Sequence, residues 1–499
     1  MASDAVLRAL AGACPATRPA EAADAVAGVA PRYAASPASV AEAGAVMRVA
    51  AEQALAVVPR GSGSRLDWGA PPRSCDLVVD TLRLDRVVEH AAGDLVTRVQ
   101  AGVGLRELGE LLAAAGQQLA LDLMPGANGQ DLAGSATVGG TLATGMAGPR
   151  RLRYGTPRDL VIGITVVRAD GTVASSGGKV VKNVAGYDLG KLFAGSYGTL
   201  GLIAETVFRL HPLPTAAAYT TVDGAGPADA YRAVAAAAAS ELAPTAVEIS
   251  RAGRGHPVRV GVLLEGDQDG VGERAAHLRK LLGGAAVTSP DAPGWWGRIE
   301  PWPGPGGAGA ADGGTGAADG TGAAGGGSEA GGSPEAGESP EAGGGPDVGG
   351  SPEAGDGPDA GGTLIRIAFW AAALPAVLGV IDRAAEVAGL DPLVAGSAAA
   401  GVIYVGIGAG PGPAAVAAFI AALREAIARG EADARPASAP VPDSPPVLAS
   451  AVVVHAPPPV REQVDMWGPV PGLPLMRAVK DQFDPGHRMA PGRFAGGIC

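Results

Sequence analysis

Apolar positions change their period several times along the chain, and each change predicts an element. Residues 39–54 carry small apolar side chains at helical spacing behind Ser39, with Glu42 three positions on, the pairing that caps a helix N-terminus. A short apolar run, Ala56 to Val58, stops at Pro59 and reads as a buried strand entering a glycine turn. The stretches 76–80, 86–90 and 94–102 predict short strands, and 104–116 an amphipathic helix closed by Gly116. Residues 161–177 predict a hairpin around Ala169-Asp170-Gly171, and 199–214 a long strand ended by prolines.

Beyond residue 214, strand-like runs at 258–264, 364–369 and 401–407 alternate with alanine-rich helical stretches, the pattern of an α+β unit. The uncharged run 393–423 is broken by Gly406, Gly408, Gly410, Pro411 and Pro413; it reads as a buried strand, a turn and an amphipathic helix, not as a membrane span. The apolar run 367–381 is short and contains Pro375. A helix over 475–483 precedes a tail pinned by prolines.

Composition sharpens this division. The 499 residues include 79 Gly and 42 Pro, and much of that excess lies in 303–362, a Gly/Pro/Asp/Glu-rich stretch of Ser-Pro-Glu-Ala-Gly variants. That stretch has ten acidic residues, from Asp312 to Asp359, and no Lys or Arg. The chain carries 38 basic and 50 acidic residues, a net −12; without the stretch the count is 38 against 40. The acidity therefore belongs to a segment too poor in large apolar side chains to offset the entropy of ordering, which is expected to be disordered. The nearly neutral remainder lacks the basic surface that nucleic acid requires. The expected organisation is an N-terminal segment (1–35), a first domain (36–214), a cap domain in two parts (215–302 and 363–455) around the acidic insertion (303–362), and a C-terminal segment (456–499) returning to the first domain.

Cys14, Cys75 and Cys499 are far apart, which excludes a disulfide framework, a zinc site and an iron–sulfur site within this chain. Asp4 and Arg8 interrupt the stretch that a signal peptide would keep apolar. A reducing, cytoplasmic setting is expected, with no direct membrane span; a peripheral place at the inner face of a membrane, held through partners, stays open.

The chemistry is in the glycines. Arg60-Gly-Ser-Gly-Ser64 follows a buried strand; Gly61 and Gly63 permit backbone N–H groups to converge on an anion, and Ser62 and Ser64 add hydroxyls, so a diphosphate suits the turn. The third position of a Rossmann fingerprint is Leu66, and no P-loop lysine follows. A second cluster spans 125–145, with Gly126, Gly134, Ser135, Thr137, Gly139, Gly140, Thr141 and Gly145, and Arg150, Arg151 and Arg153 stand beside it. A chain this thin can pass against a flat ring system. A third spans 177–203 and ends Gly195-Ser-Tyr-Gly198-Thr199-Leu-Gly201 before Ile203; a fourth is the ending Asp484-Pro-Gly486 with Pro491-Gly492-Arg493-Phe494.

The runs PRGSGS, MPGANGQDLAGSATVGGTLATG, RYGTPRD, KVVKNVAGYDLGKLFAGSYGTLGLI and FDPGHRMAPGRF together resemble the vanillyl-alcohol-oxidase, or p-cresol methylhydroxylase (PCMH), type of FAD-binding family, and within it the E subunits of bacterial glycolate oxidases. The resemblance covers 36–214 and 455–499, and the middle only in pattern. It implies an α+β fold: a PCMH-type FAD-binding domain of two α/β subdomains and an antiparallel-sheet cap domain. It also implies residue roles. Pro59, Arg60, Gly61, Ser62, Gly63 and Ser64 would hold the diphosphate of FAD. Gly126, Gly134, Ser135, Thr137, Gly139, Gly140 and Thr141 would line the diphosphate and flavin. Tyr154 and Asp159 would support the flavin side, and Gly198, Thr199, Gly201 and Ile203 the adenosine side. Part of the family bonds its flavin to a histidine after the glycine pair; Ser64 stands there, so the FAD is expected to be non-covalent.

Oxidising a 2-hydroxy acid needs a base for the hydroxyl proton and a cation for the carboxylate. The six histidines, His90, His211, His256, His277, His455 and His487, form no HxH pair, whereas the related catalytic subunit is expected to carry such a cluster. Arg493 and Arg153 are the candidates for carboxylate or flavin charge, no metal site is indicated, and Tyr187 and Tyr197 read as packing residues. Three functions stay open: an FAD-binding subunit of a glycolate (2-hydroxy acid) oxidase, working beside a catalytic flavoprotein subunit and passing electrons toward an iron–sulfur subunit; a self-sufficient FAD oxidase or dehydrogenase; and a non-catalytic structural subunit.

Overall fold

A computed structural model of the chain describes residues 2–122, 136–179, 187–224, 226–298, 361–433 and 449–498. All but the last two residues of the acidic insertion, together with Gly126, Gly134 and Ser135, lie outside the described residues.

Strands β1 (Thr17–Pro19), β2 (Tyr33–Ala35), β3 (Val57–Arg60) and β4 (Leu77–Asp80) form a small sheet in the order β1-β2-β4-β3. β2 and β3 both pair parallel to β4. The parallel strands are continuous apolar runs because helices bury them from outside: helix Val40–Glu52 covers the sheet with Ala43, Val46, Met47 and Ala50, and an N-terminal helix, Ala2–Ala13, adds Leu10. Ser39 caps the first of these, accepting from the Glu42 amide at 3.1 Å, while the Glu42 carboxylate accepts from the Ala38 amide at 2.9 Å.

Next come β5 (Val87–Ala91), β6 (Val96–Gln100), β7 (Gln117–Gln118), β8 (Val161–Val167), β9 (Val173–Gly177), β10 (Leu202–Arg209) and β11 (His211–Pro212). Five of them make an antiparallel sheet, β5-β6-β10-β8-β9, and β7 pairs with β11. The hairpin β8–β9 turns where expected, with Gly171 at φ +81°.

The third sheet is the largest. β12 (Ala216–Gly224), β13 (Ala246–Arg251), β14 (Val258–Gly266), β15 (Val287–Ser289), β16 (Thr363–Ala368), β17 (Leu393–Ser397), β18 (Val402–Ile407) and β19 (Ser450–His455) pair antiparallel in the order β15-β12-β14-β13-β17-β18-β16-β19. The run 393–423 thus holds two strands before its helix, not one, because Gly401 at φ +68° reverses the chain between β17 and β18. Helices Pro227–Ala239, Gln268–Leu282, Leu374–Ala388 and Pro413–Ala428 cover one face, packed on Val247, Ile249, Val260, Ile365, Ile403 and Val405. Alternation sends Glu248, Leu364, Arg366 and Tyr404 to the other face, which meets the glycine-rich part of the chain through Met146 and Trp68.

The tail returns to the first sheet. The Val57 amide donates to the Arg488 carbonyl and the Ala490 amide to the Val57 carbonyl, both at 2.8 Å. No helix among the described residues is long and apolar enough to cross a membrane.

Candidate functional site

The glycine turns converge on one cleft. β3 delivers Pro59 to Ser64 to its wall; the helix Val138–Thr144 delivers Gly139, Gly140, Ala143 and Thr144, and the turn before β10 delivers Tyr197, Gly198, Gly201 and Ile203.

The missing side chains are required. A Cβ on Gly61 would stand 2.3 Å from the Thr137 hydroxyl, which already accepts from the Gly140 amide as the cap of its helix. A Cβ on Gly139 would meet the Ala101 Cβ at 2.7 Å. Gly63 adopts φ +80° and Gly198 φ +75°, the left-handed region that L side chains rarely occupy. Tyr197, next to Gly198, is itself left-handed, at φ +54°, held by the hydrogen bond its amide donates to the Ala143 carbonyl (2.9 Å) and by its ring against Trp467.

Charge in the cleft is one-sided. Arg60, Arg65 and Arg493 line it and no Asp or Glu does, among the described residues. Arg60 is already neutralised by Asp24 and Asp80, each at 3.0 Å. Arg65 and Arg493 are not. Arg493 is 4 % exposed and donates to the Leu66 and Trp68 carbonyls, yet its Nε and one terminal nitrogen have no partner among the described residues. Arg65, 7 % exposed and stacked 5.5 Å over Trp68, leaves two nitrogens in the same condition. Burial lowers both guanidinium groups to about 10, and the Tyr197 hydroxyl opposes that drift. Buried donors without acceptors are costly, and two of them in one wall suit an anionic ligand.

Of the residues singled out from the sequence, Pro59, Arg60, Gly61, Ser62, Gly63, Ser64, Thr137, Gly139, Gly140, Gly198, Gly201, Ile203 and Arg493 line this cleft. Others turn elsewhere. The Thr141 hydroxyl is buried on the inner side of its helix. The Thr199 hydroxyl donates to the Ser196 carbonyl at 2.7 Å. Tyr154 donates to Glu265 at 3.0 Å and lies with Arg153 in a separate depression beside His211. Asp159 caps a short helix through Thr156. Tyr187 is exposed and Tyr197 packed. His455 pairs with Asp67 (2.7 Å) and His90 with Gln117 (2.9 Å), and no acidic, His or Cys group among the described residues is arranged for a metal.

Arg65 was not singled out. It directly follows Ser64, but nothing local says that its guanidinium turns inward. A smaller chamber beside the cleft was also missed; Glu248, Ser397, Arg151 and Tyr404 line it. Its signal is the alternation in 246–251, which puts Glu248 opposite the helix-packed Val247 and Ile249.

Residues 31–177 match the family described as FAD binding domain. The chain is 36 % identical over 180 residues to glycolate oxidase subunit GlcD of Bacillus subtilis (strain 168), covering 35 % of this chain and 37 % of that one. It is 38 % identical over 160 residues to glycolate oxidase subunit GlcE of Escherichia coli (strain K12), covering 32 % and 43 %. The match thus spans less than half the length of these relatives. p-Cresol methylhydroxylase with substrate bound has the same fold, with a TM-score of 0.64 at 15 % identity over 98 % of this chain and 96 % of that one. Residues 31–177 thus match an FAD-binding domain, and the chain has a PCMH-type fold with the antiparallel cap sheet that the resemblance implied.

Proposed function

We propose that the cleft binds FAD without a covalent bond and that the chain is the flavin-bearing component of a 2-hydroxy acid oxidase or dehydrogenase of the glycolate oxidase type. The observation that carries this is the acid-free cleft with two buried, incompletely partnered arginines among side-chain-free turns. The backbone of Gly61 to Ser64 and the hydroxyls of Ser62 and Ser64 would take the diphosphate; Gly139 and Gly140, with Gly198 and Gly201 opposite, would pass close to the rings. Gly126, Gly134 and Ser135 are assigned to the same ligand by their place in the second glycine cluster. When bound, FAD supplies an acceptor for two electrons and the hydrogen of an alcohol carbon. Arg65 and Arg493 fix positive charge in the wall before any ligand arrives, so little reorganisation is needed to stabilise negative charge there.

The relatives are named as subunits, and this reading places the chain in a complex whose iron–sulfur component is another chain. A cluster needs several thiolates at one point, whereas Cys14 and Cys75 are buried in separate cores and Cys75 is pushed up to about 12 by burial. A second reading, a chain that oxidises the acid by itself, is favoured by the buried carboxyl of Glu248 in the chamber beside the cleft.

The visible absorption spectrum of the purified protein tests the flavin assignment; a chain that stays colourless after soaking in FAD would sink it. Glycolate turnover with a dye acceptor, by the chain alone and then with co-purified partners, separates the two readings.

A further inference from the structure

The chamber lies where the large sheet meets the glycine-rich part. The register Ile249↔Gly396 between β13 and β17 brings the next pair, Glu248 and Ser397, opposite each other, and the Ser397 hydroxyl donates to Glu248 Oε1. Glu248 is 3 % exposed and Ser397 4 %. From the other side come Gly148 and Arg151; Arg151 Nε donates to the Gly148 carbonyl at 3.1 Å, and a terminal nitrogen reaches the Tyr404 hydroxyl at 3.5 Å. Among the described residues no carboxylate forms an ion pair with Arg151, and Asp122 pairs with the neighbouring Arg150 at 2.6 Å. Glu248 and Arg151 thus line one small cavity without an ion pair between them among the described residues.

That cavity adjoins the cleft. The helix Val138–Thr144 ends in the cleft wall with Ala143 and Thr144, and three residues on Ala147 and Gly148 line the chamber. Tyr404, a chamber residue, also bears electrostatically on Arg65 of the cleft.

We propose that this chamber is the substrate site, that a short-chain 2-hydroxy carboxylate binds with its carboxylate on Arg151 and its hydroxyl on Glu248, and that Glu248 accepts the hydroxyl proton. The proposal rests on the FAD reading of the cleft. The substrate O–H bond breaks and a carboxyl O–H forms on Glu248; the α-hydrogen and two electrons leave for the FAD, and the alcohol carbon becomes a carbonyl. Ser397 is a positioning residue that holds the Glu248 carboxyl in one orientation. Burial, helped slightly by Asp122, outweighs the Ser397 hydrogen bond and Arg151, which pull the other way, and the Glu248 carboxyl is raised to about 7. Arg298 and Tyr404 complete the polar groups facing the chamber. An acceptor titrating near neutrality suits proton abstraction.

The test uses the full chain, FAD-loaded and FAD-free, with glycolate and with oxalate as a non-oxidisable probe. Arg151→Met is expected to weaken oxalate binding, measured by calorimetry, by about tenfold or more, with FAD retention unchanged. Glu248→Gln is expected to keep oxalate affinity within about threefold while slowing flavin bleaching by glycolate by roughly 100-fold or more, and to abolish the rise of that rate with pH through neutrality. Ser397→Ala is expected to shift that pH dependence without removing it. Wild-type binding and bleaching in both Arg151→Met and Glu248→Gln would overturn the proposal. A wild-type chain that takes up no FAD but binds oxalate through Arg151 would sink the flavin reading and leave the chamber as an acid-binding site.

Discussion

Lys480 and Asp484 form an ion pair inside the protein: Nζ lies 2.6 Å from Oδ2, and the two side chains are 1 % and 0 % exposed. The same ammonium donates to the Thr199 carbonyl at 2.7 Å and to the Met489 carbonyl at 3.0 Å, and Asp484 also accepts from the Met489 amide at 2.7 Å. The pair therefore fastens the C-terminal tail to the turn that supplies Gly198 and Gly201 to the cleft. Breaking a buried pair by removing one partner leaves an uncompensated charge. Lys480→Met and Asp484→Asn should each destabilise the fold by about 3–5 kcal/mol in urea unfolding, and both should loosen FAD retention.

The phosphate turn has a sharper requirement. Gly63→Glu puts a side chain at φ +80° and an acid among the diphosphate donors, and Gly61→Val drives a branched Cβ into Thr137. Neither variant should hold FAD after gel filtration; a full flavin spectrum in Gly63→Glu would refute the diphosphate assignment.

Arg65 makes opposite demands on the empty and the loaded protein. Its two buried nitrogens lack partners, so Arg65→Met should leave the FAD-free protein as stable as before or more stable. The loaded protein should lose what the guanidinium supplies, weakening FAD by about tenfold or more. Thermal melts with and without FAD read both effects; a fall in the FAD-free melting temperature comparable to a core deletion contradicts the argument.

Glu248 links stability to pH. Its folded value, about 7, lies above the ordinary 4.5, so the folded state holds the proton more tightly than the unfolded one. The contribution is fully present below about pH 4.5 and is lost as pH rises through 7, up to roughly 3 kcal/mol in all. Glu248→Gln should remove that fall: compared with the wild type, its melting temperature should gain between pH 5 and pH 8. Parallel pH curves for the two proteins would show that the carboxyl does not titrate in this range.

Much of this was legible along the chain. Ser39 with Glu42, the hairpin at Gly171, the strands around the glycine turns and the final helix all rest on contacts within a few residues, where capping, positive φ and alternation act. The glycine positions also announced close approaches of the backbone, which fall to the Thr137 hydroxyl at Gly61 and to Ala101 at Gly139.

The partners of those residues belonged to the tertiary structure alone. Whether Arg60 meets a phosphate or Asp24 and Asp80, whether Tyr154 faces the cleft or Glu265, and whether Arg65 turns inward depend on surfaces brought together from distant segments. Ser397 reaches Glu248 across 149 positions and Lys480 reaches Thr199 across 281. The physical reason is one of range: torsional preference and hydrogen-bond periodicity act on near neighbours and are written in local sequence, whereas desolvation and charge pairing act on whatever the packed core sets side by side.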